Sequence, residues 1–288
     1  ERGMGDVISA EPLTLSSEDW SVAEDAAVDG DMSGLRALLK YKPQLLNARS
    51  HDTLEWTLLM VAAENGQAEV ANLLISKGAE LNVTNINGVT ALMCASRTCS
   101  IDCIHALCKA GAMLDMRQPL FGRTAFIMAA ACNELAAVQL LSSYGADRLP
   151  IDRDGFSAKG IARRYGFQEL HTWLAQSVGW KPLAHIEQLS VSRASALLRS
   201  GASLRAGQPY ALQRAQVVGG DVGALLVQAA GPWSPVTHKL FGPAARARAE
   251  ELLRPLYMLR RERLANGGLP AVDFAELAIG FALTRDWV

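Results

Sequence analysis

Between Gly88 and Ala112 the chain gathers four of its five cysteines, Cys94, Cys99, Cys103 and Cys108, together with His105. Thiolates and an imidazole are the donor set of a zinc site, and paired thiols are the raw material of disulfides. A structural zinc site needs four ligands converging on a tetrahedron, usually with a pair separated by about two to four residues. Here four, three and four residues intervene, and at helical pitch those positions diverge. An odd count of five cysteines in 288 residues does not make a disulfide scaffold either. The remaining reading is that the thiols act as small hydrophobes in a core. The histidines (His51, His105, His171, His185 and His238) are scattered. His185 has Glu187 and Ser190 nearby, but i, i+2 neighbours on a helix point apart. No glycine-rich phosphate loop, nucleophile elbow or metal-binding histidine pair is present. The expectation is a chain without enzymatic chemistry, metal or cofactor.

The cysteines sit inside a period. "WTLLMVAAENGQAEVANLLISKGAELN" begins at Trp56, "VTALMCASRTCSIDCIHALCKAGAMLD" at Val89 and "RTAFIMAAACNELAAVQLLSSYGADRL" at Arg123. Thr57, Thr90 and Thr124 are 33 and 34 residues apart, and each is followed 21 residues later by Gly78, Gly111 or Gly145. A fourth copy begins at Phe156–Ser157. Each threonine is placed to cap a short helix. Ala62–Ala63 and Ala129–Ala130 let two helices approach closely. Gly66 and Gly166, with Asn133 at the matching place, permit a left-handed turn, and Cys99 stands where that glycine is expected. Leu73–Leu74, Leu107 and Leu140–Leu141 form the apolar stripe of a second helix. In this alignment Cys94, Cys103 and Cys108 take the places of Val61, Val70 and Ile75, which face inward. Such a hairpin cannot bury its own face, so neighbours must stack.

The 33-residue period, the Gly-x-Thr opening (Gly88–Thr90, Gly122–Thr124) and the Gly-Ala close (Gly78–Ala79, Gly111–Ala112, Gly145–Ala146) resemble the ankyrin repeat. The resemblance implies an all-α ankyrin-repeat solenoid. Ala23–Ser50 is similar to an N-terminal capping repeat, with a solvated acidic face at Glu24, Asp25, Asp29 and Asp31. The family's Thr-Pro-Leu-His opening is replaced throughout, and Glu55 stands at a usual finger glycine. About five clear repeats and two degenerate ones are expected. The latter are Gly179–Gly207, with Pro182–Leu183 at its start, and Gln208–Trp233, with Gly219–Gly220 at its turn. The predicted organisation is a tail at 1–16, repeats at 17–176, degenerate repeats at 177–231, a docking segment at 232–243 and a helical pair at 244–288. In the docking segment Trp233 and Phe241 are expected to pack on the preceding repeat. That segment and the helices after it are similar to ankyrin proteins of unicellular algae and other protists.

Net charge is −1, from 28 Lys+Arg and 29 Asp+Glu, which argues against a nucleic-acid partner. "FIMAAAC" and "LAIGFAL" are each about one-third of the ~20 residues of a membrane span. Met4–Ser9 matches the myristoylation pattern, but Met4 is internal and an acid follows Gly5. The expected location is an intracellular, reducing compartment: the cytoplasm by default, an organelle where a targeting peptide has been removed.

The family's usual contact positions precede and follow each threonine at fixed offsets. The resemblance therefore implies a partner-binding face of Leu54, Trp56, Glu64 and Asn65, then Ile86, Asn87, Val89, Arg97 and Thr98, then Leu120, Phe121, Arg123 and Cys132, and finally Arg153, Phe156, Arg164 and Tyr165. Aromatics and arginines are the types enriched at interface hot spots, although Trp56 or Phe156 could instead pack on its own finger. The expected function is a non-enzymatic protein-binding module, a scaffold or a subunit of a larger assembly. The alternative is a ubiquitin-ligase substrate adaptor. Glu250–Leu283 is similar in layout to a SOCS box, and "LPAVDFAELAIGFAL" resembles an F-box helix. The SOCS-box Leu…Cys pattern is not matched, since Tyr257 and Met258 follow Leu253.

Overall fold

The computed structural model of the protein describes residues 16–200, 202, 204, 211–230, 240 and 243. Two compact units divide the chain, Glu1–Leu174 and Ala175–Val288.

The first unit is a stack of helical hairpins. It opens with α1 (Ser17–Asp29), α2 (Met32–Tyr41) and a 3-10 turn at Pro43–Asn47. Ser16 and Asp19 cap α1 reciprocally, and Asp31 accepts from the N–H groups of Ser33 and Gly34 at the head of α2. Of the four acids expected to form a solvated face, Asp31 thus has a specific structural task. Four more hairpins follow: α3 (Leu58–Glu64) with α4 (Ala68–Ser76), α5 (Ala91–Arg97) with α6 (Ile101–Ala110), α7 (Ala125–Ala131) with α8 (Leu135–Tyr144), and α9 (Ala158–Tyr165) with α10 (Gln168–Gln176).

Each of these hairpins starts on a hydroxyl. Thr57, Thr90, Thr124 and Ser157 are extended residues whose side chains accept from the N–H three residues on, at 3.3, 3.3, 3.3 and 3.2 Å. The turn between paired helices is left-handed at Gly66, Cys99, Asn133 and Gly166, with φ of 72°, 55°, 63° and 73°. In the first helices of the inner hairpins the apolar residues are almost all buried, because α3 packs on α5, α5 on α7 and α7 on α9. The second helices form a parallel row, α2 on α4, α4 on α6 and α6 on α8. Cys94, Cys103 and Cys108 lie in this core outside any disulfide, in line with their alignment to Val61, Val70 and Ile75. Side chains also tie layer to layer. The Oδ1 atoms of Asn47, Asn82 and Asp115 accept from Glu80, Met113 and Asp147 N–H at 2.9, 2.8 and 2.8 Å.

In the last hairpin the pattern changes sign. Lys159 stands where Leu59, Leu92 and Phe126 are buried, and Arg163 where Ala63, Ser96 and Ala130 are buried; both charged residues are exposed. A further layer on this face would have to bury two cations.

The second unit has its own core, built from Leu183, Ile186, Leu189, Leu198, Leu226 and their neighbours. Among its described residues the helices after α10 are α11 (Val191–Arg199), α12 (Ala211–Val218) and α13 (Gly220–Ala230). The expected sixth hairpin has only its second helix. In place of the first are 3-10 turns at Pro182–Ala184 and Ile186–Gln188. Four consecutive residues, Leu183 to Ile186, are buried, which a one-faced helix does not allow. The Ala184 carbonyl accepts instead from Arg214 Nε at 2.7 Å. The expected seventh unit is a helical hairpin, turning at Gly219 and Gly220 with φ of 70° and 71°. The expected docking of Trp233 and Phe241 and the helical pair at 244–288 lie outside the described residues.

Candidate partner-binding face

Between successive hairpins the chain makes an extended finger whose ends are joined by a backbone hydrogen bond. Ser50 N–H donates to Trp56 O at 2.7 Å, Asn85 to Val89 at 3.1 Å, Gln118 to Arg123 at 2.9 Å and Asp152 to Phe156 at 2.9 Å. A short polar side chain at the base stiffens three of the four. Asn85 Oδ1 accepts from Asn87 and Val89 N–H, and Asp152 Oδ1 accepts from Asp154 and Phe156 N–H. In the first finger Ser50 Oγ accepts from Trp56 N–H and donates to Asp52, whose Oδ1 also accepts from Leu54 and Glu55 N–H. The Ser50 hydroxyl, with those two N–H groups, holds the Asp52 carboxyl below the ordinary carboxylate range. Glu55 takes φ 55° at the tip, the conformation its place in the finger demands, and pairs with Arg49 at 2.7 Å.

The expected contact residues fall into two groups. Ile86, Asn87, Leu120, Phe121 and Arg153 are exposed on the fingers, and Asn65, Arg97, Thr98, Cys132, Arg164 and Tyr165 are exposed at the ends of the first helices. Leu54, Trp56, Glu64, Val89, Arg123 and Phe156 are half-buried. Trp56 and Val89 pack against the core.

Many of the charged and aromatic members engage one another. The Arg97 guanidinium pairs with Glu64 across adjacent layers. Glu64 also borders Cys94, whose thiol is pushed up by burial first and by that carboxylate second. Arg123 lies 3.6 Å from the buried Asp152 carboxylate and 5.5 Å from the Phe121 ring centre. Arg164 covers the Phe156 ring at 4.7 Å, so Phe156 does pack within its own repeat. The fingers are joined as well: Ile86 N–H donates to Leu54 O at 3.2 Å and Arg153 N–H to Phe121 O at 2.9 Å. Exposed apolar residues that the contact offsets do not reach include Val22, Tyr41, Met113, Leu149 and Ile151. The signal available for Leu149 and Ile151 was two large apolar residues flanking Pro150 just before a finger.

Among the described histidines, His51, His105 and His171 lie on separate elements of the first unit. His185 is buried in the second unit against Trp180, with ring centres 5.2 Å apart. Among the described residues no group of three or more His, Cys, Asp or Glu side chains is placed to hold a metal ion. No helix among them is long and apolar enough to cross a membrane.

The hydroxyl cap, the left-handed turn, the finger and the two rows of helices recur layer by layer, and a family model of ankyrin repeats in three copies matches residues 24–118. The array is built of ankyrin repeats. Ankyrin repeats are a protein–protein interaction module. The chain is 39% identical over 85 residues to human NAD-capped RNA hydrolase NUDT12, 30% of this chain and 18% of that protein. It is 34% identical over 133 residues to the probable E3 ubiquitin-protein ligase XBOS33 of rice, 46% of this chain and 25% of that protein. With the putative ankyrin repeat protein FPV031 of fowlpox virus it shares 31% identity over 103 residues, 35% of this chain and 30% of that protein. The chain thus spans less than a third of the length of each of these relatives. The NUDT12 likeness is confined to the ankyrin region.

Proposed function

We propose that this chain is a non-enzymatic recognition module that binds a protein partner along its fingers and the ends of its first helices, as a scaffold or a subunit of a larger assembly. The observation behind this reading is a set of large apolar side chains left in solvent on the fingers and first-helix ends of successive ankyrin repeats, Ile86 and Leu120 at the same place in theirs. Ile86 is 57% exposed, Leu120 58%, Phe121 47% and Tyr165 60%, next to first helices whose apolar residues are almost all buried. Stacking does not require these residues to be apolar; a partner that covers them does. Crosslinking and pulldown from native material identify the partner, and its affinity is then measured for variants. Phe121→Ala and Ile86→Ala are each expected to weaken binding by about 2 kcal/mol, the scale of a hot-spot truncation. Unchanged affinity in both rejects this face.

A second reading is favoured by the similarity to XBOS33 and to the E3 ubiquitin-protein ligase XBAT32 of Arabidopsis thaliana, 32% identical over 118 residues. On that reading the ankyrin repeats select a substrate and the C-terminal Glu250–Leu283 stretch recruits ligase machinery. Co-purification of elongin-like or Skp-like proteins, lost on Leu253→Asp, distinguishes it from the first.

A further inference from the structure

The finger from Gln118 to Arg123 departs from its neighbours in three ways. Its closing bond spans five residues where those at Asn85 and Asp152 span four, so it carries one residue more, the source of the 34-residue step from Thr90 to Thr124. Its base is Gln118 instead of Ser, Asn or Asp, and the buried Oε1 of Gln118 accepts no hydrogen bond. Pro119 occupies the place from which Ile86 and Arg153 donate an N–H to the preceding finger, and proline has none. Its ring lies against Gly88, where an added Cβ would come within 2.0 Å of Pro119 Cδ.

These departures weaken the finger as a structural element, yet it presents two adjacent large apolar side chains, Leu120 and Phe121, to solvent. Departures from local consistency without structural gain concentrate where a protein does its work. Three arginines stand around the finger. Arg123 stands behind Phe121, Arg153 is bonded through its backbone to Phe121, and Arg117 Nη1 donates to Ile151 O at 3.2 Å. The Asp152 carboxylate is buried beside Arg123, and Asp154 reaches solvent.

Resting on the recognition reading above, we propose that this finger is the principal anchor and that its ligand is an extended acidic peptide segment, with apolar side chains on Leu120 and Phe121 and carboxylates facing Arg117, Arg123 and Arg153. The test is selection of phage-displayed random 12-residue peptides on the full chain, followed by fluorescence-polarisation titration of the selected sequences. The selected pool is expected to pair Asp or Glu with Leu, Phe or Trp. Binding should fall at least tenfold for Phe121→Ser and for Arg153→Glu, with unchanged circular dichroism. Lysine-for-acid peptides should bind Arg153→Glu better than they bind the parent. A pool without acids, no selected peptide, or affinities untouched by both substitutions overturns the assignment. Peptides that bind and respond to Trp56→Ala but not to Phe121→Ser keep the recognition face and overturn the anchor.

Discussion

Cysteine is the residue type that looks most chemical in this chain and behaves least so. Burial raises the Cys94 thiol far above its ordinary value and the Cys103 thiol to about 11. Both therefore keep their protons over a pH range in which an unfolded chain, with thiols near 9.0, loses them. The folded state binds more protons than the unfolded state above pH 9, so stability must decline as pH rises. For a thiol protected as fully as Cys94 the loss is about 1.4 kcal/mol at pH 10. Urea midpoints between pH 8 and 10 should fall, and Cys94→Val should flatten the decline; a midpoint independent of pH contradicts it. Iodoacetamide under native conditions should reach exposed Cys132 first and leave Cys94 unlabelled until denaturant is added, as peptide mapping would show. The Arg97–Glu64 pair taught a different lesson. Both residues were legible as surface positions 33 apart, but that they satisfy each other depends on the rise between layers, which the chain does not spell out.

At the scale of the element, Thr-to-Gly spacing was enough to place α3 to α8, because a hydroxyl cap and a left-handed turn are chemical necessities with recognisable residues. Thr124 is fully buried at the head of α7, so Thr124→Ala should cost about 1–2 kcal/mol by thermal or urea melting. The 3-10 turns at Pro182–Gln188 were not legible. Buried residues in succession have no period, and the Arg214 contact that takes up the Ala184 carbonyl comes from a distant helix. The lengthened finger was visible only as a step of 34 instead of 33, and nothing in that number says that Leu120 and Phe121 turn outward. Two glycines separate conformational strain from crowding. Gly88 and Gly111 both have positive φ, 70° and 93°. A Cβ at Gly111 meets nothing within 4 Å, whereas one at Gly88 strikes Pro119. Gly88→Ala should therefore destabilise clearly more than Gly111→Ala, and equal melting temperatures would mean that Pro119 yields.

For the first unit as a whole, a stack of hairpins is stable only if both ends are finished, since every inner layer offers apolar faces to its neighbours. The last clear hairpin breaks the pattern of the inner layers. Alignment on the hydroxyl caps sets Lys159 and Arg163 against residues buried in three earlier layers, and His171 on α10 against the buried Ala71, Ile104 and Val138. Burying an unpaired cation costs several kcal/mol, so these charges disfavour a layer of the inner kind on this face. Restoring the inner-layer residues should remove that cost. A Lys159→Leu, Arg163→Ala variant keeps the Ser157 cap and the α7–α9 contact but exposes an apolar face of the kind that elsewhere receives a neighbour. It should fold with unchanged helicity and self-associate with rising concentration, read as a second, faster species in sedimentation velocity at tens of micromolar. If it behaved hydrodynamically like the parent, the two cations would not be what ends the stack, and the limit on layer number would have to lie in the backbone of α9 and α10.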